Sequence, residues 1–254
     1  MSDRDAGAAP PGLPEVHVHA DAAALADGAA AWIARALADA IAARGMASLA
    51  LAGGSTPRAL HARLAARPID WRAIAIWFGD ERCVPPDDAA SNYRMARESL
   101  LDALPIPPAA VHRIEGELAP AEAARRYQAQ LAAAPPLDVV VLGMGDDGHV
   151  ASWFPGTPPF DPEALAATTD SPKPPPARVT MTPRTLAAAR EVVLLVSGEA
   201  KAARLAEIHA QLRAGQPTLP AARVHGAGGP PRWFVDDAAA RALPPSVREK
   251  GQEQ

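Results

Sequence analysis

Cysteine occurs once in the 254 residues, at Cys83, so no intrachain disulfide can form, and no Cys or His neighbours stand around it at metal-ligand spacing. No run of about 18 apolar residues is present, which excludes a membrane-spanning helix of the usual kind. The first residues carry Asp3, Arg4 and Asp5 and no apolar stretch like that of a signal peptide, so a cytoplasmic location is expected. Dense Lys/Arg blocks are missing and the formal net charge is −4, which argues against nucleic acid or an anionic membrane as partner. Aromatic residues make up only 4% of the chain, so the core must be built from aliphatic side chains and alanine. What remains is a protein that meets a small molecule.

Hydrophobic residues amount to 48% of the sequence, enough for one large α/β domain. Residues 1–14 and 244–254 lack any period and are expected to be loose tails around a folded body at 15–243. Leu25, Trp32, Ile33, Leu37 and Ile41 recur at helical spacing over 21–44, with Asp21 as N-cap and Gly45 as stop. Strands are predicted at 48–52, 74–78, 138–142, 178–181, 192–196 and 233–235, and further helices at 58–66, 91–104, 120–133 and 199–212. Strands alternating with helices imply an α/β fold, a largely parallel sheet with helices on both faces. The proline-dense stretch 155–176 is too broken for regular structure and reads as a wall or lid of a site.

Chemistry concentrates at predicted strand ends, where open α/β sheets bind ligands. Gly53-Gly54-Ser55-Thr56-Pro57 joins a strand to a helix, and its bare backbone, free N–H groups and hydroxyls suit a phosphate. The plainer alternative is a tight connection with a Ser or Thr cap. This segment has neither the Lys of a P-loop nor the third glycine of a dinucleotide fingerprint. Asp80 and Arg82, in Gly79-Asp-Glu-Arg82, follow Ile-Trp-Phe and can face a cleft, although a solvated strand end would look the same. Asn92 either caps a helix or faces the site. In Gly143-Met-Gly-Asp-Asp-Gly-His149, an imidazole beside carboxylates can be held in one tautomer and take a proton from water, which makes His149 a candidate general base. The spacing also matches a nicotinamide fingerprint, but no acidic residue ends a following strand about 20 residues on. Lys173 sits among prolines and Arg178 precedes an apolar strand, and both cations suit a phosphate or carboxylate.

Four segments taken together, Ala52–Pro57, Phe78–Pro85 with Ser91–Tyr93, Leu142–Gly156 and Ser171–Thr182, resemble the glucosamine-6-phosphate isomerase/6-phosphogluconolactonase family, on its lactonase side. They stand in the family's order and span the chain from about Gly53 to Ser197. The resemblance implies a Rossmann-like fold and hydrolysis of 6-phospho-D-glucono-1,5-lactone, the second step of the oxidative pentose phosphate pathway, with no metal and no cofactor. It implies a sugar-phosphate lactone as the partner molecule and a monomer or small homo-oligomer. On this reading His149 is the base and Asp147 orients it. The phosphate lies against Gly54, Ser55 and Thr56 with Arg82, Lys173 or Arg178 supplying positive charge, and Gly53, Asp80 and Asn92 are further candidates for holding the substrate. Backbone N–H groups at Gly145 and Gly148, or one of the cations, meet the oxyanion. Val150, Trp153 and Asp146 stand where the family more often has Thr, Leu and Glu.

Two other readings use the same residues. An aminosugar-phosphate deaminase or isomerase would share the phosphate loop, but such relatives follow the histidine with Ile-Ala-Phe-Asn-Glu-Pro, whereas Val150-Ala-Ser-Trp-Phe-Pro155 has no carboxylate. A non-catalytic sugar-phosphate sensor commonly carries an added DNA-binding module, and no spare segment for a helix-turn-helix unit or a basic tail is expected here.

Overall fold

The structure, a computed structural model, describes residues 12–252, so the predicted N-terminal tail lies outside the described residues up to position 11. The elements are β1 (Val16–His19), α1 (Ala22–Arg44), β2 (Ala47–Leu51), α2 (Ser55–Ala65), β3 (Ile74–Phe78) and β4 (Asp80–Arg82). They continue with α3 (Asn92–Ser99), α4 (Pro120–Ala133), β5 (Val139–Gly143), β6 (Ala166–Asp170), β7 (Ala177–Met181) and α5 (Pro183–Ala188). The chain closes with β8 (Glu191–Val196), α6 (Ala202–Arg213), β9 (Arg232–Asp236), α7 (Asp237–Ala240) and α8 (Pro245–Gln252).

Six strands form an all-parallel sheet in the order β1-β9-β8-β5-β2-β3. Its central strands are buried along their length except at Gly143 and Glu191, as a sheet covered on both faces requires. The α/β fold and parallel sheet expected from the sequence are therefore observed. From β2 the chain adds β3 on one side and then crosses to place β5 on the other, so strand order reverses between β2 and β5. Ligand crevices in open sheets lie at the carboxyl ends of strands flanking such a reversal. The glycine-rich segments 53–54 and 143–148 follow these two strands.

A second sheet departs from the expectation. β4, β7 and β6 form an antiparallel unit, so Asp80–Arg82 is a strand and not a loose strand end, and the proline-dense stretch contains β6. Ala166-Ala-Thr-Thr-Asp170 has too little apolar alternation to announce itself; its partner β7 supplies the ladder. Gly79 joins the sheets: its N–H donates to Leu51 C=O at 2.9 Å in the large sheet, and its C=O accepts from Met181 at 2.8 Å in the small one. Val150, Trp153, Val179 and Met181 belong to the same buried cluster as the large sheet's core.

Local rules account for the element ends. Asp21 accepts from Ala24 N–H at 2.8 Å to start α1, and Gly45, with φ of 76°, closes it. α2 begins at Ser55, three residues earlier than predicted, because Gly54 at φ 105° takes the N-cap conformation and Pro57 is welcome in a first turn. β1 was not foreseen, since Val-His-Val-His alternates without a long apolar run; it pairs with β9. In the segment 244–254, predicted as a loose tail, residues 245–252 instead form α8, whose Val247 packs against the core, and the last two positions lie outside the described residues. Among the described residues no helix is long and apolar enough to cross a membrane.

His61 of α2 is buried and hydrogen-bonded to Ser99 Oγ at 2.8 Å. Ser99 Oγ donates its own hydrogen to Met95 C=O at 2.6 Å, so His61 Nδ1 must carry the proton in this pair. Burial pushes the imidazole down to about 4. Its contribution to stability is complete above about 6.5, the ordinary histidine value, and is lost as pH falls toward the folded-state value, because there the unfolded chain binds a proton that the folded chain does not. Denaturant unfolding at about pH 7 and about pH 4.5 is expected to show a loss that His61→Gln reduces by roughly 2–3 kcal/mol. An unchanged slope in the variant would show that another group carries it.

Candidate active site

A cavity of about 380 Å³ opens at the carboxyl edge of the sheet between the ends of β2 and β5, walled on its far side by the segment after β6. Gly53 and Gly54 line it from the loop before α2, Ser55 and Thr56 from the first turn of α2, Asp80 and Arg82 from β4, Gly145 and His149 from the turn after β5, Lys173 from the loop into β7 and Arg178 from β7 itself. Ten of the thirteen residues expected from the sequence thus meet there. Asn92, Asp147 and Gly148 do not line it.

At the α2 end the chemistry is that of an anion site. The first intrahelical donor is Arg58 N–H, to Gly54 C=O at 3.1 Å, and Pro57 has no N–H. The first-turn donors left over are therefore the amides of Ser55 and Thr56, at the positive end of an 11-residue helix. Arg82 and Arg178 stand opposite each other on the antiparallel rung of β4 and β7. Like charges in that position repel, so an anion between them is favourable. Burial, and then the Arg82 charge, hold the Arg178 guanidinium below its usual value. Arg178 is also half committed to structure: Nε donates to Pro175 C=O at 2.8 Å, and the same side chain reaches Ser171 Oγ and Lys173 C=O at 3.4 and 3.3 Å. It pins the loop that carries Lys173.

At the other end lies the histidine turn. His149 Nδ1 meets Asp147 Oδ1 at 2.6 Å, and the same oxygen accepts the His149 backbone N–H at 3.1 Å. Burial pushes the Asp147 carboxyl up, but the two hydrogen bonds from His149 outweigh it and hold the group below the ordinary carboxylate range. An ionised carboxylate only accepts, so neutral His149 carries its proton on Nδ1 and leaves Nε2 with a free lone pair. The imidazole packs against Phe154, with ring centroids 4.8 Å apart. Gly145 makes room for it: a Cβ there would fall 2.0 Å from His149 Nδ1 and 2.7 Å from Asp147 Oδ1.

The expected backbone oxyanion donors are not available. Gly145 N–H donates to His149 C=O at 2.9 Å and Gly148 N–H to Gly145 C=O at 3.0 Å, since the turn closes on its own hydrogen bonds. Asn92 is likewise corrected: its amide donates to Asp80, and the residue lines a neighbouring depression rather than the cavity. Glu81 is turned away from the cavity and accepts from the backbone N–H groups of Arg82, Asn92 and Tyr93 and from Ser91 Oγ, which secures the start of α3. Sequence reasoning missed Lys201, which lines the cavity and pairs with Asp146. Its signal was a lysine three residues after Gly198 at the end of β8, the strand-end pattern used at the other motifs. Among the described residues no group of three or more His, Cys, Asp or Glu side chains could hold a metal ion.

A parallel sheet with unfilled amides at a helix start, a carboxylate-held imidazole and several converging cations defines an α/β protein whose strand-end cavity is suited to a small anionic ligand. Residues 20–233 match the family model described as glucosamine-6-phosphate isomerases/6-phosphogluconolactonase, and the chain belongs to that family. It is 40% identical over 256 aligned residues to a 6-phosphogluconolactonase of Streptomyces coelicolor, covering 92% of this chain and 96% of the relative. A human 6-phosphogluconolactonase is 42% identical, with 79% and 82% covered. The crystal structure of 6-phosphogluconolactonase from Thermotoga maritima superposes with a TM-score of 0.77 at 32% identity, over 87% of this chain and 98% of that one.

Proposed function

We propose that this chain hydrolyses 6-phospho-D-glucono-1,5-lactone to 6-phospho-D-gluconate, the second step of the oxidative pentose phosphate pathway. The observation that carries the reading is His149, held from outside by Asp147, in one cavity with the unfilled amide donors of α2. The names of the relatives at about 40% identity supply the substrate class.

In the reaction, the phosphate rests on the Ser55 and Thr56 amides and hydroxyls with Arg82, which also borders Gly54 and Ser55 in the neighbouring depression. His149 Nε2 takes a proton from water as the water oxygen bonds to the lactone carbonyl carbon. A side-chain cation meets the resulting oxyanion, because the amides of Gly145 and Gly148 are engaged. Lys201, tied to the histidine turn through Asp146, is the cation suited to that task. The intermediate collapses with rupture of the bond between the carbonyl carbon and the ring oxygen. The imidazolium returns its proton to that oxygen, leaving a hydroxyl and a carboxylic acid, and the acid loses its proton to solvent to give the carboxylate.

The test is the disappearance of 6-phosphogluconolactone generated in situ, with spontaneous opening subtracted. Acceleration is expected, together with no ammonia from glucosamine 6-phosphate. No acceleration would remove the lactonase reading, and ammonia release would put the deaminase in its place.

A further inference from the structure

Ser152 has no place in the chemistry above, yet it is fully buried and lies three residues after His149. Its hydroxyl donates to Asp80 Oδ2 at 2.6 Å, and its backbone N–H reaches Thr180 Oγ1 at 3.3 Å. Asp80 and Thr180 face each other across β4 and β7, so Ser152 grips both sides of one rung. The residue between, Ala151, lines the cavity at φ 47°, a left-handed conformation that a non-glycine residue keeps only when its surroundings hold it. Those surroundings are the Ser152 bonds and the buried Trp153, whose Nε1 donates to Met181 C=O at 2.6 Å.

The other oxygen of the same carboxylate continues the chain of contacts. Asp80 Oδ1 accepts from Asn92 Nδ2 at 3.1 Å, and that amide also donates to the Asp80 C=O at 2.9 Å. Asn92 Oδ1 lies against the bare Cα of Gly53, where a Cβ would come within 2.0 Å. A continuous buried path therefore runs from the histidine turn, through Ser152, Asp80 and Asn92, to the loop that starts α2.

We infer that Ser152 is a positioning residue whose bond to Asp80 couples the phosphate loop to the histidine turn, so that filling the anion end sets the placement of the His149 imidazole. The kinetic part of this inference rests on the lactonase reading; the coupling itself does not. Both hydrogen bonds to Asp80 are made by side chains outside the cavity, so the carboxylate is held from behind on two sides while one face stays toward the ligand. Such a two-sided hold transmits a shift in either partner.

Two measurements test it on the full chain. In the first, histidine ring resonances are followed by NMR while inorganic phosphate is added. The His149 signals are expected to move in the wild type and to move less than half as far in Ser152→Ala. In the second, Ser152→Ala is expected to lower kcat about 10- to 100-fold with KM within about threefold. Asp80→Asn combined with Ser152→Ala should be no worse than Asp80→Asn alone, because the two act through one contact. Thermal melting reports whether each variant is folded, and Ser152→Cys, close in size and with a weak donor, takes the place of Ser152→Ala if that variant does not fold. Equal phosphate-induced shifts in wild type and variant, or effects on kcat that multiply, would overturn the coupling. A wild type that does not accelerate lactone opening would overturn the reaction, and the NMR comparison would still decide the coupling.

Discussion

His149→Ala is expected to lower kcat on 6-phosphogluconolactone by about 10²–10⁴-fold, the range that general acid–base catalysis supplies. In the proposed mechanism the side chain does two things in sequence, accepting a proton from water and returning one to the ring oxygen, and alanine does neither. The phosphate end is untouched by the change, because the Ser55 and Thr56 amides and Arg82 come from α2 and β4. KM should therefore stay within about threefold, the signature of an interaction made only in the transition state. The measurement is lactone disappearance with the spontaneous rate subtracted, wild type and variant in parallel. Turnover within a few-fold of wild type would remove His149 from the base role. Asp147→Asn should act in the same direction. An amide in place of the carboxylate can donate to Nδ1, which favours the tautomer with its proton on Nε2, where the lone pair is needed.

The second large effect is expected from a glycine. Gly145→Ala places a methyl group 2.0 Å from His149 Nδ1 and 2.7 Å from Asp147 Oδ1, both closer than a methyl carbon tolerates. Because Gly145 is locked by its N–H bond to His149 C=O, the backbone cannot simply move aside, and the imidazole must leave its carboxylate. A misplacement of about 1 Å at a catalytic group is worth about 10²-fold in rate, so kcat should fall about that far. The crowding should also lower stability by about 1–3 kcal/mol, a drop of several degrees in Tm. Affinity for 6-phosphogluconate, read by calorimetry, should persist, since the anion end is built elsewhere. A folded Gly145→Ala with wild-type kcat would mean that the His149–Asp147 contact does not matter for turnover.

Much of the molecule was legible in the chain because its signals are local. The long amphipathic helix between Asp21 and Gly45 carries its own cap and stop, α4 begins at Pro120 as predicted, and the apolar runs at 74–78 and 192–196 are strands within a residue or two. β6 was hidden because Ala166-Ala-Thr-Thr-Asp170 becomes a strand only through pairing with β7, a nonlocal event. The same holds for β4, whose three residues carry two carboxylates and an arginine. α8 was hidden among polar residues, and Val247 reveals its purpose only when the core is present to receive it.

The site divides along the same line. Sequence by itself determined the residue types and their placement at strand ends: glycines and hydroxyls after β2, an Asp-Gly-His turn after β5, and cations just before and at the start of β7. These follow from turn chemistry and from the rule that open sheets bind at their carboxyl edge. Only the tertiary structure decided which groups remain free to act. It engaged the amides of Gly145 and Gly148 in the turn's own hydrogen bonds, moved Asn92 behind Asp80, turned Glu81 to the start of α3, and brought in Lys201 from beyond β8. A backbone N–H has one strong partner at a time, a side chain turned to one partner is lost to another, and which partner wins depends on what the folded chain sets beside it, often some 50 or 100 residues away in sequence.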